Sequence, residues 1–105
     1  MNDSRPAIML IVGGLKSNLP REEMERRYKE RLPLFREVPG LIQKYYSYDE
    51  ATSEWAGIYL WASEEALADF LASDLRKSIP AAYELTGPPR IERFAIVDRL
   101  HGDID

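Results

Sequence analysis

The chain of 105 residues contains no cysteine and a single histidine. Without cysteine there are no disulfides, thiolate nucleophiles or sulfur-ligated metals, which fits a reducing compartment. His101 lies beyond the last predicted strand in a polar tail, where a general base would have no fixed position near a substrate. One histidine also excludes paired- and three-histidine metal sites, and with that histidine poorly placed no Ser-His-Asp arrangement is evident. No apolar run approaches the roughly 18 residues that a membrane helix needs. The segment Met1–Pro6 followed by Ala7–Val12 is too short in its apolar part for a signal peptide and lacks a small-residue cleavage site. A cytoplasmic protein with no membrane partner is expected. A basic excess is also lacking: 14 Lys and Arg stand against 18 Asp and Glu, and the net charge of −4 argues against a nucleic-acid partner, which needs a basic footprint. Gly13-Gly14 lacks the spacings of phosphate-binding glycine loops.

The composition, 45% hydrophobic and 30% charged, is that of a soluble globular protein, and the length suits one domain over residues 1–105. Ala7–Val12 is apolar at every position, as a central strand buried on both faces would be, and Gly13-Gly14 is expected to end it. Asn18 and Pro20 suit a helix start, and the helix should run from about Pro20 to Arg36. Met24, Tyr28, Leu32 and Phe35 form its buried stripe, and Pro33 predicts a kink or restart. The interleaved arginines and glutamates of residues 21–31 read as a solvated face with i,i+4 pairs.

Pro39-Gly40 then turns the chain into a hairpin, Leu41–Asp49 and Trp55–Ala62, across residues 50–53. Ser63 caps a second helix, with Leu67, Phe70 and Leu71 on its apolar side, ending near Ser73. Residues 74–83 read as irregular helix, Thr86-Gly87-Pro88-Pro89 as a turn, and Ile91–Asp98 as the last strand. The order β-α-β-β-α-β predicts an α+β, ferredoxin-like fold with one antiparallel sheet and both helices on one face. The other face is left bare. Trp55, Tyr59 and Trp61 share one side of their strand and are expected to lie on that bare face, where a second sheet must cover them and a C2 homodimer is the simplest cover.

The same rings are candidates for a site. Trp55, Tyr59 and Trp61 could stack an aromatic ligand and hydrogen-bond it, or serve as core and interface packing. Tyr45 and Tyr46 point to opposite sheet faces, and Tyr48 shares the face of Tyr46. Tyr28 and Tyr83 could each reach a cavity between helix and sheet or merely pack. Arg93 could bind an anion or pair with a neighbouring acid.

Pro39-Gly40-Leu41, the acidic tip Asp49-Glu50, and Trp55-Ala56-Gly57-Ile58-Tyr59-Leu60-Trp61 running into Ser63-Glu64-Glu65-Ala66-Leu67 together resemble the YdhR-like monooxygenase family. That family belongs to the dimeric α/β-barrel superfamily of antibiotic-biosynthesis monooxygenases. The resemblance implies a ferredoxin-like subunit, a homodimer through the sheets, and a pocket between sheet and helices. It implies cofactor-independent oxygenation of a small aromatic or polycyclic substrate. Haem-degrading relatives use a helical histidine, which this chain lacks. On this reading Tyr59, Trp61 and Tyr28 are the candidate catalytic residues, and Trp55, Tyr46, Tyr83 and Phe70 the candidate pocket wall. No cofactor or metal is implied. The alternative is a non-catalytic module that binds a small apolar molecule or dimerises on the same fold. An isomerase or cyclase would differ from both in needing no O₂.

Overall fold

The computed structural model describes residues 6–101. The expectations for Met1–Arg5 and for the tail past His101 lie outside the described residues. The elements are β1 (Ile8–Ser17), α1 (Arg21–Arg36), β2 (Leu41–Asp49), β3 (Glu54–Trp61), α2 (Glu64–Leu71), α3 (Asp74–Lys77), α4 (Ile79–Ala82), β4 (Leu85–Thr86) and β5 (Arg90–Ala95). The strand order is β2-β3-β1, with β4 and β5 both pairing with β1 on its far side. All pairings are antiparallel. The two crossovers, β1-α1-β2 and β3-α2-β5, each leave a gap that the other unit fills, which is the ferredoxin-like arrangement. No helix among the described residues is long and apolar enough to cross a membrane.

The sheet register decides which side chains meet the helices. Ile8, Leu10 and Val12 of β1 lie opposite Trp61, Tyr59 and Gly57 of β3 and share their face. Ile8, Leu10, Tyr59 and Trp61 form a buried cluster with Phe35 of α1 and Leu67 and Phe70 of α2, so both helices cover this face. The aromatic stripe of β3 is therefore not the bare side of the sheet, as a dimer argument built on it requires. The chain's own helices shelter it. The bare face instead carries Met9, Ile11, Tyr45, Ile58 and Phe94.

Several local expectations change. Gly13-Gly14 does not end the first strand; the register shifts between Val12 and Leu15, and Gly14 has φ +67. This bulge adds a residue to β1 and returns Leu15 to the inner face, opposite Trp55. Asn18 does not cap α1. Pro20 takes the N-cap position without a side-chain bond, while the Ser17 hydroxyl accepts from the Leu19 N–H and donates to the Tyr83 carbonyl. The first helix runs through Pro33 without a restart, because that residue is exposed and only the Lys29 carbonyl loses a partner. Ser63 does cap α2, accepting from the Ala66 N–H at 3.1 Å. The last strand ends at Ala95 rather than Asp98.

The Pro39-Gly40 turn seats α2 against the sheet. Gly40 has φ +79, and a Cβ there would fall 2.3 Å from the Ala66 Cβ. Its carbonyl accepts the Ala62 N–H at 2.8 Å. Gly40→Ala meets both a backbone penalty and a clash with a helix that cannot easily retreat. A loss of roughly 2 kcal/mol or more is expected in denaturant melts. Adding Ala66→Gly should relieve the steric share and leave the backbone share.

Candidate functional site

On the inner face Lys44 lies opposite Tyr59, Tyr46 opposite Gly57, and Tyr48 opposite Trp55. Gly57 supplies the space for this row. A Cβ there would come within 3.1 Å of the Tyr59 ring and 3.6 Å of the Lys44 stem. The Gly57-Ile58-Tyr59 motif thus has a steric reason: the tyrosine ring and the lysine stem lie across a floor without a side chain.

A large cavity lies between this face, α2 and the segment from α3 to β5. Its volume is about 330 Å³. Leu10, Leu15, Tyr59, Phe70 and Ile79 form its depth, and Pro88, Pro89 and Ile91 its rim. Tyr59 and Arg76 are the polar side chains in an otherwise apolar wall. Such a cavity suits an apolar ring system and offers it very few polar contacts.

A second cavity of about 40 Å³ shares Leu15, Tyr59 and Ile79 with the first. Tyr28, Lys44, Tyr46, Trp55 and Tyr83 complete much of its wall. Tyr28 of α1 stacks on Tyr46 at 4.4 Å and meets Trp55 edge-on at 6.1 Å. The Lys44 ammonium position lies 3.7 Å from the Phe35 ring centre, 4.4 Å from that of Tyr46 and 4.6 Å from that of Tyr59. Arg31 donates to the Ser78 hydroxyl at 2.7 Å, and its guanidinium lies 5.5 Å over the Tyr83 ring. The Tyr46 hydroxyl, the Tyr83 hydroxyl and Arg31 Nε are buried and have no hydrogen-bond partner among the described residues.

Burial, reinforced by the charge of Arg31, lowers the Lys44 amine from its ordinary value to about 7. The three ring faces attract the charged form by about 0.5–1 kcal/mol each and recover part of that loss. Burial raises Tyr46, Tyr59 and Tyr83 above the usual phenol value, with Arg31 opposing the rise at Tyr83. The tyrosines are neutral donors at physiological pH, while Lys44 sits at the balance point between its two forms.

Among the sequence candidates, Tyr59 and Phe70 line the large cavity, and Tyr28, Tyr46, Trp55, Tyr59 and Tyr83 line the small one. Trp61 is placed elsewhere, fully buried between Tyr59 and Phe70, and its indole N–H has no hydrogen-bond partner among the described residues. Arg93 pairs with Glu64 on the surface. Sequence reasoning passed over Lys44, Arg31 and Arg76. Lys44 was detectable as the residue two before Tyr46, hence on the same side of the strand, whereas Arg31 is masked by the charged pairs of the outer face of α1. Among the described residues no group of three or more His, Asp or Glu could hold a metal ion.

A family model described as "Putative mono-oxygenase ydhR" matches residues 10–87. No curated protein sequence is significantly similar to the chain. Solved structures with the same fold include a protein from Bordetella bronchiseptica described as a "Putative antibiotic biosynthesis monooxygenase". It has a TM-score of 0.71 and 18% identity, over 89% of this chain and 99% of that one. A Streptomyces coelicolor monooxygenase solved with the ligand nanaomycin D has a TM-score of 0.68 and 20% identity, over 97% of each chain. NE2512 from Nitrosomonas europaea, of unknown function, has a TM-score of 0.73 and 16% identity, over 96% of this chain and 99% of that one. At these identities the likeness concerns the fold.

The Lys44 amine is lower in the folded chain than in an unfolded one, so between the two values the folded state binds fewer protons. Stability attributable to this residue therefore rises with pH across that window. Lys44→Met keeps the stem and removes the amine. It is expected to exceed the wild type by about 1 kcal/mol or more at low pH. The difference should be full below about pH 7 and fade as pH approaches ~10.4. Urea melts at several pH values check this, and a pH-independent difference would count against a buried amine.

Proposed function

The chain belongs to the ydhR mono-oxygenase family, and from that premise we propose that it oxygenates a small aromatic or polycyclic molecule without a cofactor, in the cavity between sheet and α2. The observation that carries this reading is the apolar cavity of about 330 Å³ with Tyr59 and Arg76 as its polar wall groups. Oxygenation without metal or flavin needs a substrate that can itself give an electron to O₂, such as a phenolate or enolate. When a methylene becomes a carbonyl, one oxygen atom enters the substrate and the other leaves as water with the two hydrogens. The protein then has to bind the ring, exclude water and stabilise the anion. Leu10, Leu15, Phe70 and Ile79 do the first two, and Tyr59 offers a hydroxyl for the third. Tyr28 is a donor on the far side of Tyr59, and Trp61 supports the ring stack from the core.

A cavity wall without a paired acid and base favours a second reading, a binding protein for an apolar metabolite. Oxygen uptake with a panel of phenols and anthrone-like compounds separates the two. Turnover that falls about tenfold or more in Tyr59→Phe supports catalysis, in line with the loss of one donor to a developing anion. Quenching of tryptophan fluorescence by the same compounds with no oxygen consumed supports binding alone.

The homodimer is part of this proposal, now through the other face of the sheet. Met9, Ile11, Tyr45, Ile58 and Phe94 form an apolar surface there, and Tyr45 and Phe94 are 43% and 46% exposed. A second copy related by C2 symmetry would cover it. Sedimentation should give a dimer at micromolar concentration, and Ile58→Asp a monomer. A folded wild-type monomer would end this part of the reading.

A further inference from the structure

The small cavity behind Tyr59 is lined by donors whose partners are missing. Lys44, Tyr46 and Tyr83 face it, and Arg31 stands over the Tyr83 ring. Three polar atoms of this group, the Tyr46 and Tyr83 hydroxyls and Arg31 Nε, are buried with no hydrogen bond of good geometry among the described residues, while the Arg31 guanidinium is close enough to Tyr83 to act on its hydroxyl oxygen and leaves its O–H free to donate. Each such group carries the desolvation penalty of a hydrogen bond left unmade. Three in one place form a standing penalty that one acceptor would relieve. The other titratable groups near Lys44 are Tyr28 and Arg36 of α1 and Tyr59 of β3. Burial and the charge of Arg31 lower its amine, and among the described residues no carboxylate pairs with it.

Size narrows the occupant. A cavity of about 40 Å³ holds an oxygen-sized group rather than a molecule. A ligand with its oxygen here needs the two cavities to open to one another beside Leu15, Tyr59 and Ile79, which border both, and its remainder would then lie in the large apolar cavity. We propose that the small cavity is an oxyanion subsite that takes the ionised hydroxyl of a phenolic or enolic substrate, with Lys44 as the base that receives its proton and Tyr46, Tyr83 and Arg31 as the supporting donors. This deepens the oxygenase reading and rests on its cavity. The step is a proton transfer only. The substrate O–H bond breaks, an N–H bond forms on Lys44, and the electron pair stays on the oxygen beside the new ammonium. An amine near neutrality in this setting can accept that proton at physiological pH, and the three surrounding rings hold the resulting cation. The anion so formed is the species that can give an electron to O₂.

The test uses 7-hydroxycoumarin, a bicyclic phenol whose fluorescence separates its neutral and ionised forms, and 7-methoxycoumarin, which has no proton to lose. With the wild type, bound 7-hydroxycoumarin should ionise at lower pH than the free probe, its acid constant raised about tenfold or more by the adjacent cation. Lys44→Met should remove most of that increase while binding 7-methoxycoumarin within about twofold of the wild type, since the ring cavity is untouched. Tyr83→Phe, which keeps the ring and removes one donor, should reduce the increase several-fold. It provides an independent check should Lys44→Met fold poorly. Probe bound as the neutral phenol by the wild type, or ionised equally by Lys44→Met, overturns the subsite and leaves the apolar cavity standing. Failure of both coumarins to bind removes the cavity reading itself, and the subsite with it. Neither measurement depends on turnover.

Discussion

The packing of the inner aromatic row of β3 against α1 and α2 is the contact on which the remaining structure depends. Trp61, Tyr59 and Phe70 lie 5.2 to 6.1 Å apart in a mutually tilted or stacked trio, and Phe35 joins it from the first helix. Large rings contribute most of the apolar area available to so short a chain, and their shapes limit how closely the helices can approach. At the Trp61 end the indole is fully buried. Toward Trp55 the strand drops to Gly57, α2 has ended, and short helices and the proline-rich segment take over the cover. The cavities open there. Core and site are therefore two ends of one face rather than separate features.

Lys44 shows how such a face carries chemistry as well as packing. A lysine stem is apolar and fits between rings, so the fold tolerates it on the inner side of β2. The amine at its end then sits among ring faces and beside Arg31, without a carboxylate acting on it. An arrangement chosen for stability alone would place a hydrocarbon there. The Tyr46 and Tyr83 hydroxyls, buried and unpaired among the described residues, border the same small cavity as Lys44.

The bulge at Gly13-Gly14 links backbone to site in a similar way. By adding one residue to β1 it returns Leu15 to the inner face, where that side chain walls both cavities. The short strand β4 pairs with the end of β1 just past the bulge and brings Leu85 to the large cavity, with the Gly87-Pro88-Pro89 segment following at its rim. A strand that stopped at Gly13 would leave this side of the cavity open.

Element order, the hairpin and the Ser63 cap were legible in the amino-acid sequence, because periodicity, turn residues and capping chemistry are local. The buried stripe of α1 and its charged outer face were legible for the same reason. The side of the sheet to which the aromatic row points was not. Alternation along β3 shows that Trp55, Tyr59 and Trp61 share a face, yet it is silent on whether helices or a second molecule cover that face. In β2, Lys44, Tyr45, Tyr46, Ser47 and Tyr48 mix polar and aromatic residues on both parities, so the inner face stays ambiguous until pairing puts Lys44 opposite Tyr59. Only the tertiary structure decided that question, since register and layer order depend on contacts between residues far apart in the chain. The same long-range contacts bring Arg31, Lys44, Tyr46 and Tyr83 together, four residues whose local surroundings carry no common signal.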